Sequence, residues 1–285
     1  MISPNTKVIA LIGNPVKHSL SPKIHNYLIK RYSKEAVYVA FEFSPEDLIT
    51  AFKGIKKLGF AGLNVTMPFK EEVFKLVDKT DGPSSIIKSV NTVKFYPKER
   101  ISRGFNTDVD GFIKSVDDSN FKWHEKQCLV IGAGGSAKST IYGMLKKKVR
   151  EIYVYSRTRE KIYEIINNFK SMGSGRIKVL QSINDMDDKI KWIDLIVNCT
   201  PIGMNVGSYK NKMIVPESWN LKGKVVFDMV YKPVETGLVK KAKREGAVII
   251  NGLDMLLNQA MFSFKIWFNL MPRINGLKKI LLDNI

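Results

Sequence analysis

Cysteine and long apolar runs are scarce in this chain of 285 residues. Two cysteines cannot form a disulfide framework, and Cys128 and Cys199 both lie in apolar runs typical of buried strands. No run approaches the ~18 apolar residues that span a bilayer. The first residues lead directly into an apolar strand with no basic segment before it, so no signal peptide is expected. These absences predict a cytoplasmic protein that has no membrane segment.

Histidines and acidic residues are also few. His18, His25 and His124 are scattered, without paired spacing or clustered acids, so no metal site is predicted. The 27 Asp and Glu residues oppose 46 Lys and Arg residues, which gives a formal net charge of +19. This surplus is compatible with a nucleic-acid binder, an enzyme for anionic substrates or a lysine-rich surface.

Apolar runs alternate with segments of helical period along the first part of the chain, which is typical of an α/β fold with some parallel pairing. A helix is predicted to begin at Ser21, with Ser21 as its N-cap and Pro22 in its first position. Further helices are predicted to begin at Ser44–Pro45 and at Pro68. The predicted strands cover residues 7–14, 38–43, 62–66, 89–96 and 101–105, the last two as a hairpin.

A second unit is predicted to begin with the helix that follows Thr107. Its strands cover residues 128–131, 152–155, 195–198, 225–228 and 247–250. Its helices cover residues 136–147, 159–169 and 236–244. This order is typical of a doubly wound nucleotide-binding domain. The apolar tail from Leu253 onward is predicted to form one or two closing helices.

A glycine-rich turn follows the first strand of the second unit, with the sequence GAGGSA at residues 132–137. The pattern G-x-G-x-x-G/A between a strand and a helix predicts a pyrophosphate site at the helix N-terminus. The alternative is a P-loop, because residues 132–139 differ from G-x-x-x-x-G-K-[ST] only at Ala137, and Lys138 and Ser139 would fit it. The glycine spacing favours the dinucleotide turn, since it needs no substitution.

The next turn of this unit indicates which dinucleotide is bound. Its second strand runs into Ser156, Arg157, Thr158 and Arg159, with no acid to bond a ribose 2′-hydroxyl. Guanidinium groups can grip a 2′-phosphate, so NADP is favoured over NAD. The alternative interpretation is an ordinary basic surface turn.

Small polar residues cluster in the first unit. Ser19 and Ser21 stand beside a predicted helix N-terminus, a suitable place for a carboxylate, although Ser21 could be a plain helix cap. Asn64 and Thr66 share a face at a strand end. Lys70 follows in the first turn of a helix, where the helix dipole disfavours a lysine, so it is either a functional residue or a solvated one.

Asp108 falls at the predicted start of the helix that opens the second unit. There it is either a favourable charge at a helix N-terminus or a partner that faces Lys70 across a cleft between the domains. A Lys–Asp pair suits the movement of a proton while a hydride leaves a neighbouring carbon.

These segments, in this order, resemble the shikimate dehydrogenase family over nearly the whole chain. The matching motifs are H-S-x-S-P-x-x-H-N at residues 18–26, N-V-T-x-P-x-K at 64–70, V-N-T at 90–92, N-T-D-x-x-G at 106–111, the glycine turn at 132–137, N-x-T-x-x-G-M at 198–204, D-x-x-Y-x-P-x-x-T at 228–236 and G-x-x-M-L-x-x-Q at 252–259.

The resemblance implies that Ser19 and Ser21 hold the carboxylate of shikimate. It implies that Lys70 is the catalytic acid/base and that Asp108 bonds the same hydroxyl. The implied contacts to the rest of the substrate are Asn64, Thr66, Asn91, Tyr231 and Gln259. The implied cofactor residues are Gly132, Ala133, Gly134, Gly135 and Ser136 at the pyrophosphate, Ser156, Arg157, Thr158, Arg159 and Lys161 at the adenosine 2′-phosphate end, and Met229 and Gly252 at the nicotinamide.

The resemblance also implies the overall organisation and activity. A substrate domain of mixed sheet would cover residues 1–106 and 251–285, and a Rossmann-like NADP domain would cover 107–250. The expected reaction is the reduction of 3-dehydroshikimate, in a monomer or homodimer that binds neither nucleic acid nor membrane. A quinate/shikimate dehydrogenase using NAD and, more remotely, a P-loop kinase remain as alternatives. Two departures from the family pattern are Ser156, in place of Asn, and Lys88-Ser89, in place of Gly-Ala.

Overall fold

The computed structural model describes residues 2–205, 207–210 and 212–282. The chain forms two compact units. Among the described residues, unit 1 comprises those up to Asp110 and those from Leu257 onward, and unit 2 comprises Gly111–Leu256. The sequence places the divisions a few residues earlier, at 106/107 and 250/251. The observed divisions fall inside two helices instead of in the turns before them.

Unit 1 contains a six-stranded mixed sheet in the described part of the chain, with the order β2-β1-β3-β5-β6-β4. Its strands are β1 (Lys7–Gly13), β2 (Ala36–Glu42), β3 (Gly62–Val65), β4 (Lys79–Thr80), β5 (Thr92–Tyr96) and β6 (Ile101–Phe105). Strand β1 pairs in parallel with β2 and β3, whereas β5 is antiparallel to both β3 and β6. The parallel half therefore brings the carboxyl ends of β1 and β3 to one edge of the sheet.

The helices of unit 1 connect these strands. They are α1 (Ser21–Arg31), α2 (Leu48–Lys57), α3 (Lys70–Leu76) and α4 (Gly82–Ile87). Helix α5 (Thr107–Asp117) begins in unit 1 and ends in unit 2. One face of the sheet packs on an apolar cluster that includes Phe52, Phe69 and Phe95. Every second residue of β1, β3 and β5 in this region contributes to the cluster, because side chains alternate between the two faces of a sheet.

Unit 2 contains a six-stranded sheet, again in the described residues, in which every recorded pairing is parallel. Its strands are β7 (Gln127–Ile131), β8 (Glu151–Tyr155), β9 (Ile177–Val179), β10 (Leu195–Asn198), β11 (Val225–Asp228) and β12 (Val248–Asn251). Its helices are α6 (Gly135–Lys146), α7 (Arg159–Asn168) and α8 (Gly237–Arg244). The order β12-β11-β10-β7-β8-β9 is the doubly wound order of dinucleotide-binding domains, which confirms the α/β class and the Rossmann-like prediction.

The tail forms two helices, α9 (Gly252–Phe268) and α10 (Leu277–Leu282). Helix α9 begins in unit 2 and continues into unit 1. In unit 1 the indole N–H of Trp267 donates to the carbonyl of Val93 at 2.9 Å. A Cβ on Gly62 would lie 2.2 Å from that indole nitrogen, so glycine is required for the close approach of β3 to α9.

Two predicted helix starts are wrong in detail. Ser21 lies inside the first turn of α1, and Leu20 is the N-cap residue. The hydroxyl of Ser19 accepts the backbone N–H of Ser21 at 3.2 Å. Ser19 therefore satisfies an N–H at the start of the helix, which is the role that the sequence predicts for Ser21. Helix α3 begins at Lys70 instead of Pro68, because Thr66 and Phe69 first close a turn through a backbone bond of 3.0 Å.

Lys88 ends α4 in the left-handed conformation, with φ 56° and ψ 42°, and its side chain is exposed. A side chain costs about 1–2 kcal/mol in this region, and glycine avoids that cost while losing about 0.5–1 kcal/mol through the entropy of the unfolded chain. We expect Lys88→Gly to raise the free energy of unfolding by roughly 0.5–1 kcal/mol in urea denaturation. Lys88→Ala removes the charge but keeps the strain, so a gain of the same size in both variants would contradict the explanation.

Candidate functional site

Polar residues of unit 1 gather where β1 and β3 end. The backbone N–H of Thr66 donates to the carbonyl of Ile12 at 2.9 Å, and that of Asn14 donates to Met67 at 2.9 Å. A Cβ on Gly13 would lie 2.2 Å from the methyl carbon of Thr66, so glycine permits this contact. The loop that carries Ser19 and Ser21 therefore starts beside the loop that carries Thr66.

Ser19 and Ser21 lie at the N-terminal end of α1. Ser21 is buried and Ser19 is half-buried. The positive end of the helix dipole favours an anion at such a place. Hydroxyl groups at this position can add hydrogen bonds to a carboxylate, which is the role that the sequence pattern predicts for them.

Lys70 and Asp108 form an ion pair in unit 1. The Lys70 Nζ lies 2.7 Å from Asp108 Oδ2, and the two side chains are 19% and 9% exposed. This carboxylate compensates for the unfavourable position of a lysine in the first turn of α3. The prediction that the pair faces across a cleft between domains is wrong, because the first turn of α5 belongs to unit 1 with Lys70.

Asn91 orients the Asp108 carboxylate. The backbone N–H of Thr107 donates to Asn91 Oδ1 at 2.8 Å, so the Asn91 amide group must point the other way. Its Nδ2 then donates to Asp108 Oδ1 at 2.8 Å. One oxygen of Asp108 therefore accepts a hydrogen bond from Lys70 and the other accepts one from Asn91. Together these two bonds fix the plane of the carboxylate.

A buried group of hydroxyls and amides continues from Asn91. Thr92 Oγ1 and Thr107 Oγ1 lie 3.2 Å apart, and each lies 3.1 Å from Asn91 Oδ1. The hydroxyl of Ser263, on α9, lies 2.8 Å from Thr92 Oγ1 and 3.1 Å from Thr107 Oγ1. The sequence predicts no role for these three hydroxyls, although Thr92 and Thr107 belong to the V-N-T and N-T-D-x-x-G motifs and Ser263 lies one turn after Gln259.

Asn64 closes this polar group at the end of β3. Its Nδ2 has three acceptors for two hydrogens: Asn91 O at 3.1 Å, Thr92 Oγ1 at 3.1 Å and Ser263 Oγ at 3.2 Å. Its Oδ1 accepts the phenol of Tyr38 at 2.8 Å. A ligand hydroxyl can therefore reach the carboxamide best through the second lone pair of Oδ1.

Tyr38 and His25 stack behind Asn64, with ring centroids 4.4 Å apart. Burial raises the pKa of the Tyr38 phenol well above its usual value, and the nearby Ser21 hydroxyl opposes this effect. Burial also lowers the pKa of His25 to about 3, against a smaller opposing effect of the Asn64 side chain. Both rings are therefore neutral at physiological pH, and Tyr38 stays protonated as a hydrogen-bond donor.

Gln259 lies on α9 and is 8% exposed. Its backbone carbonyl accepts the hydroxyl of Ser263 at 3.1 Å, one helical turn later. The two residues share one face of α9, because positions i and i+4 are neighbours on a helix. The predicted substrate residues Ser19, Ser21, Asn64, Thr66, Asn91 and Gln259 thus all belong to unit 1, whereas Tyr231 belongs to unit 2.

The glycine turn of unit 2 lies between β7 and α6. Gly132 has φ +119°, a conformation that other residues rarely adopt, and a Cβ there would crowd the backbone of Cys199 at 3.2 Å. Gly134 is exposed, and a Cβ there would meet no atom within 4 Å. Ala133 is buried, while Gly135 and Ser136 begin α6 and are half-buried. The turn thus leaves open space at a helix N-terminus, which fits a pyrophosphate.

The P-loop alternative is not favoured. Lys138 would have to reach the phosphates from such a loop, but its side chain is 4% exposed and pairs with Glu164 of α7 at 3.1 Å. Helix α6 already begins at Gly135, which leaves three residues after β7. A P-loop needs a longer arc of backbone N–H groups to surround its phosphates.

The turn after β8 presents cations and hydroxyls to solvent. Arg157, Thr158, Arg159 and Lys161 are exposed, and Ser156 is half-buried. The hydroxyl of Ser156 accepts the backbone N–H of Thr158 at 3.3 Å, and Arg159 donates to the side chain of Gln181. Because no carboxylate occupies residues 155–159, the turn fits a 2′-phosphate better than a free 2′-hydroxyl.

Met229 and Tyr231 follow β11, and Gly252 begins α9. A Cβ on Gly252 would lie 2.1 Å from the carbonyl oxygen of Met229, so the two backbones touch and glycine is required. Met229 and Tyr231 are half-buried, and burial raises the pKa of Tyr231. Gly252 therefore permits the close approach of the start of α9 to the Met229 backbone.

Asp228 anchors the same segment. Its Oδ1 accepts the side chain of Asn198 at 3.0 Å and the backbone N–H of Val230 at 3.0 Å, and its Oδ2 accepts the hydroxyl of Thr236 at 2.6 Å. Burial raises the pKa of the Asp228 carboxyl to about 6, although these three bonds oppose the shift. The carboxyl thus changes its charge close to physiological pH.

Titration of Asp228 is expected to make stability depend on pH. The folded-state pKa of Asp228, about 6, lies above the ordinary value of 3.8. The stabilisation of the folded protein by the protonated carboxyl is therefore fully present below pH 3.8 and is lost as pH rises through 6. Two pKa units correspond to about 3 kcal/mol in the free energy of unfolding. Urea denaturation from pH 4 to 7 should show this loss in the wild type and in exposed Asp188→Asn, but not in Asp228→Asn. A parallel profile for Asp228→Asn would contradict it.

In the described part of the chain, no helix has the length and hydropathy needed to cross a membrane.

The two cysteines are both free thiols, and burial raises the pKa of Cys199 to about 12.

Comparisons with known proteins match almost the whole chain. Residues 11–93 match the model of the shikimate dehydrogenase substrate binding domain, residues 115–235 that of shikimate / quinate 5-dehydrogenase, and residues 252–282 that of the shikimate 5′-dehydrogenase C-terminal domain. A shikimate dehydrogenase (NADP⁺) of Aquifex aeolicus is 41% identical over 94% of this chain and 93% of its own length.

Solved structures agree with these matches. A shikimate dehydrogenase in complex with NADP⁺ superposes with a TM-score of 0.90 at 35% identity, covering 100% of this chain and 98% of its own. A Listeria monocytogenes shikimate 5-dehydrogenase in complex with shikimate and NAD has a TM-score of 0.89 at 26% identity, with 98% of each chain covered. The fold, the motifs and these matches lead to one conclusion: the chain belongs to the shikimate dehydrogenase family.

Proposed function

We propose that this protein is an NADP-dependent shikimate dehydrogenase, an oxidoreductase that interconverts 3-dehydroshikimate and shikimate. The observation that carries the proposal is the Lys70–Asp108 ion pair, held by Asn91 beside the polar ends of β1 and β3. The reaction belongs to the shikimate pathway, which leads to chorismate and the aromatic amino acids. Membership of the family supports the reaction, and the geometry of unit 1 supports the roles of individual residues.

The substrate is proposed to bind through its carboxylate and its hydroxyls. Ser19 and Ser21 hold the carboxylate, because their hydroxyls stand at the positive end of α1. The hydroxyls and ring are bound by the remaining polar residues, Asn64, Thr66, Asn91, Tyr231 and Gln259. Polar groups that are already fixed by the protein bind such a ligand with little further loss of entropy.

Lys70 is proposed to move the proton. During reduction, its ammonium donates a proton to the oxygen of the 3-carbonyl as negative charge develops there, and in the reverse direction its amine removes the proton of the 3-hydroxyl. Asp108 receives a hydrogen bond from Lys70 and can accept another from the same hydroxyl. Asn91 holds the carboxylate in the plane that both bonds require.

The residues of unit 2 fit NADP. Gly132, Ala133, Gly134, Gly135 and Ser136 would hold the pyrophosphate, since Gly134 leaves open space where a phosphate can approach the backbone. Ser156, Arg157, Thr158, Arg159 and Lys161 would hold the 2′-phosphate end, and Met229 and Gly252 would border the nicotinamide. When bound, NADPH supplies the hydride for carbon 3 of the substrate.

The proposal keeps the expectations of a cytoplasmic location and of a monomer or homodimer. Two free thiols support a reducing compartment. The cations of the site account for only part of the +19 charge, and the remainder belongs to a lysine-rich surface that can steer anionic ligands.

The test is the absorbance of reduced nicotinamide at ~340 nm when the purified protein is mixed with shikimate and NADP⁺. We expect oxidation of shikimate with NADP⁺, at a kcat/KM well above that with NAD⁺ or with quinate in place of shikimate. Rates that are higher with quinate or with NAD⁺ would replace the proposal by a quinate/shikimate dehydrogenase. No turnover with any of the four combinations would refute both.

A further inference from the structure

Ser263 is the one member of the buried polar group that comes from α9. Its side chain is 0% exposed. Its Oγ lies 2.8 Å from Thr92 Oγ1, 3.1 Å from Thr107 Oγ1 and 3.2 Å from Asn64 Nδ2. Its hydrogen can go to the backbone carbonyl of Gln259 at 3.1 Å. Four polar groups from four segments therefore surround one hydroxyl oxygen.

The direction of these bonds follows from the donors available. The Asn91 amide must donate towards Asp108 and Thr107 Oγ1, because the backbone N–H of Thr107 occupies its oxygen. Thr107 Oγ1 is thus an acceptor for Asn91 and needs an acceptor for its own hydrogen. Ser263 Oγ supplies lone pairs for the hydroxyls nearby when its own hydrogen bonds Gln259 O. The two threonine hydroxyls then keep one orientation.

We infer that Ser263 is a positioning residue of the dehydrogenase reaction, acting through Thr107 and Asn91 on the Asp108 carboxylate. The inference rests on the proposed function of Lys70 and Asp108. Ser263 contacts neither Lys70 nor Asp108. Its hydroxyl is hydrogen-bonded to Thr107 Oγ1, and that oxygen accepts Asn91 Nδ2 at 3.0 Å. Through hydrogen bonds of its Oγ, Ser263 also connects the backbone carbonyl of Gln259 on α9 to the side chain of Asn64 at the end of β3.

Loss of this oxygen would remove the acceptor that the Thr92 and Thr107 hydroxyls share, and both hydroxyls would turn to Asn91 Oδ1, which lies 3.1 Å from each. Such groups recover their bonds by rotating, because an unpaired buried donor is costly. Asn91 Oδ1 would then face three donors with two lone pairs, since the backbone N–H of Thr107 already donates to it, and this competition shifts the amide plane that holds Asp108. A small displacement of the carboxylate then impairs proton transfer more than it impairs binding.

The experiment compares Ser263→Ala, Ser263→Thr and Ser263→Val in the full-length enzyme, with kcat and both KM values measured. Threonine keeps the hydroxyl, and valine has the same shape without it. We expect kcat to fall roughly 10- to 100-fold in the alanine and valine variants and to recover in the threonine variant, with KM for NADP⁺ unchanged. Ser115→Ala is the matched control, since it removes a buried serine hydroxyl that bonds the i−4 carbonyl of α5 at 2.7 Å, and its kcat should not change.

The outcomes separate this inference from the proposed function. A kcat of Ser263→Ala within twofold of the wild type, or equal values for the threonine and valine variants, overturns the positioning role while the dehydrogenase activity stands. A wild type without shikimate oxidation overturns both. If the β-branched variants do not fold, Ser263→Ala decides alone: a lowered kcat at unchanged KM for NADP⁺ supports the role, and a kcat like that of Ser115→Ala refutes it.

Discussion

Replacement of Lys70 by alanine is expected to lower kcat by about 10²- to 10⁴-fold, the usual contribution of a general acid/base. KM for shikimate should change little, because the lost proton transfer belongs to the transition state and the carboxylate and hydroxyl contacts remain. The measurement is steady-state oxidation of shikimate by NADP⁺, together with a thermal unfolding curve. The Asp108 carboxylate keeps its bond to Asn91 in this variant, so the fold is expected to survive.

Lys75→Ala is the matched control for Lys70. Lys75 lies on the same short helix, its side chain is 64% exposed, and its partner is Glu72 at 2.7 Å. Its removal alters the charge of the protein by the same amount and should leave kcat unchanged. An unchanged kcat in Lys70→Ala, or an equal loss in both variants, would show that Lys70 contributes only its charge and is not the acid/base.

The paired substitution of Arg157 and Arg159 by alanine is expected to raise KM for NADP⁺ by about 10²- to 10⁴-fold, since each charge-assisted hydrogen bond contributes about 1.5–3 kcal/mol. KM for NAD⁺ should stay the same, because NAD⁺ has no 2′-phosphate. The ratio of kcat/KM values for the two cofactors measures the effect directly. Both side chains are exposed, so their removal should leave stability nearly unchanged.

Arg150→Ala controls for the general positive field of unit 2. Arg150 is exposed and immediately precedes β8, at the opposite end of the strand from the turn that carries Arg157 and Arg159. Its removal should leave the NADP⁺/NAD⁺ ratio unaltered. If it reduces the ratio as much as the paired substitution does, the preference arises from net charge and not from a bound 2′-phosphate.

The strands of unit 2 illustrate what pattern alone can predict. Strands β10 and β11 have the predicted bounds, because each is a short apolar run buried on both faces of a parallel sheet and ends at a polar residue. The sequence pattern does not predict strands β4 and β9. Lys79–Thr80 has no apolar pattern and becomes a strand only because β6 offers it an edge to pair with.

The candidate site divides in the same way. The motifs that carry Lys70 and Asp108 predict their pairing, since opposite charges in two polar clusters suit one reaction. The placement of that pair in unit 1 was missed, because a helix start looks like a domain boundary in the sequence. Tyr38 was missed as well, since an aromatic residue in a strand gives no sign that its hydroxyl reaches Asn64.

The sequence by itself determined the α/β class, the glycine turn, the lack of an acidic residue at positions 155–159 and the order of the motifs. All of these depend on residues close together in the chain. Only the tertiary structure decided which distant groups share a proton donor or acceptor. Ser263 and Thr92 are separated by 171 positions, yet their oxygens lie 2.8 Å apart. Hydrogen bonds depend on distance and angle, which packing of α9 against the sheet of unit 1 sets and which no local pattern encodes.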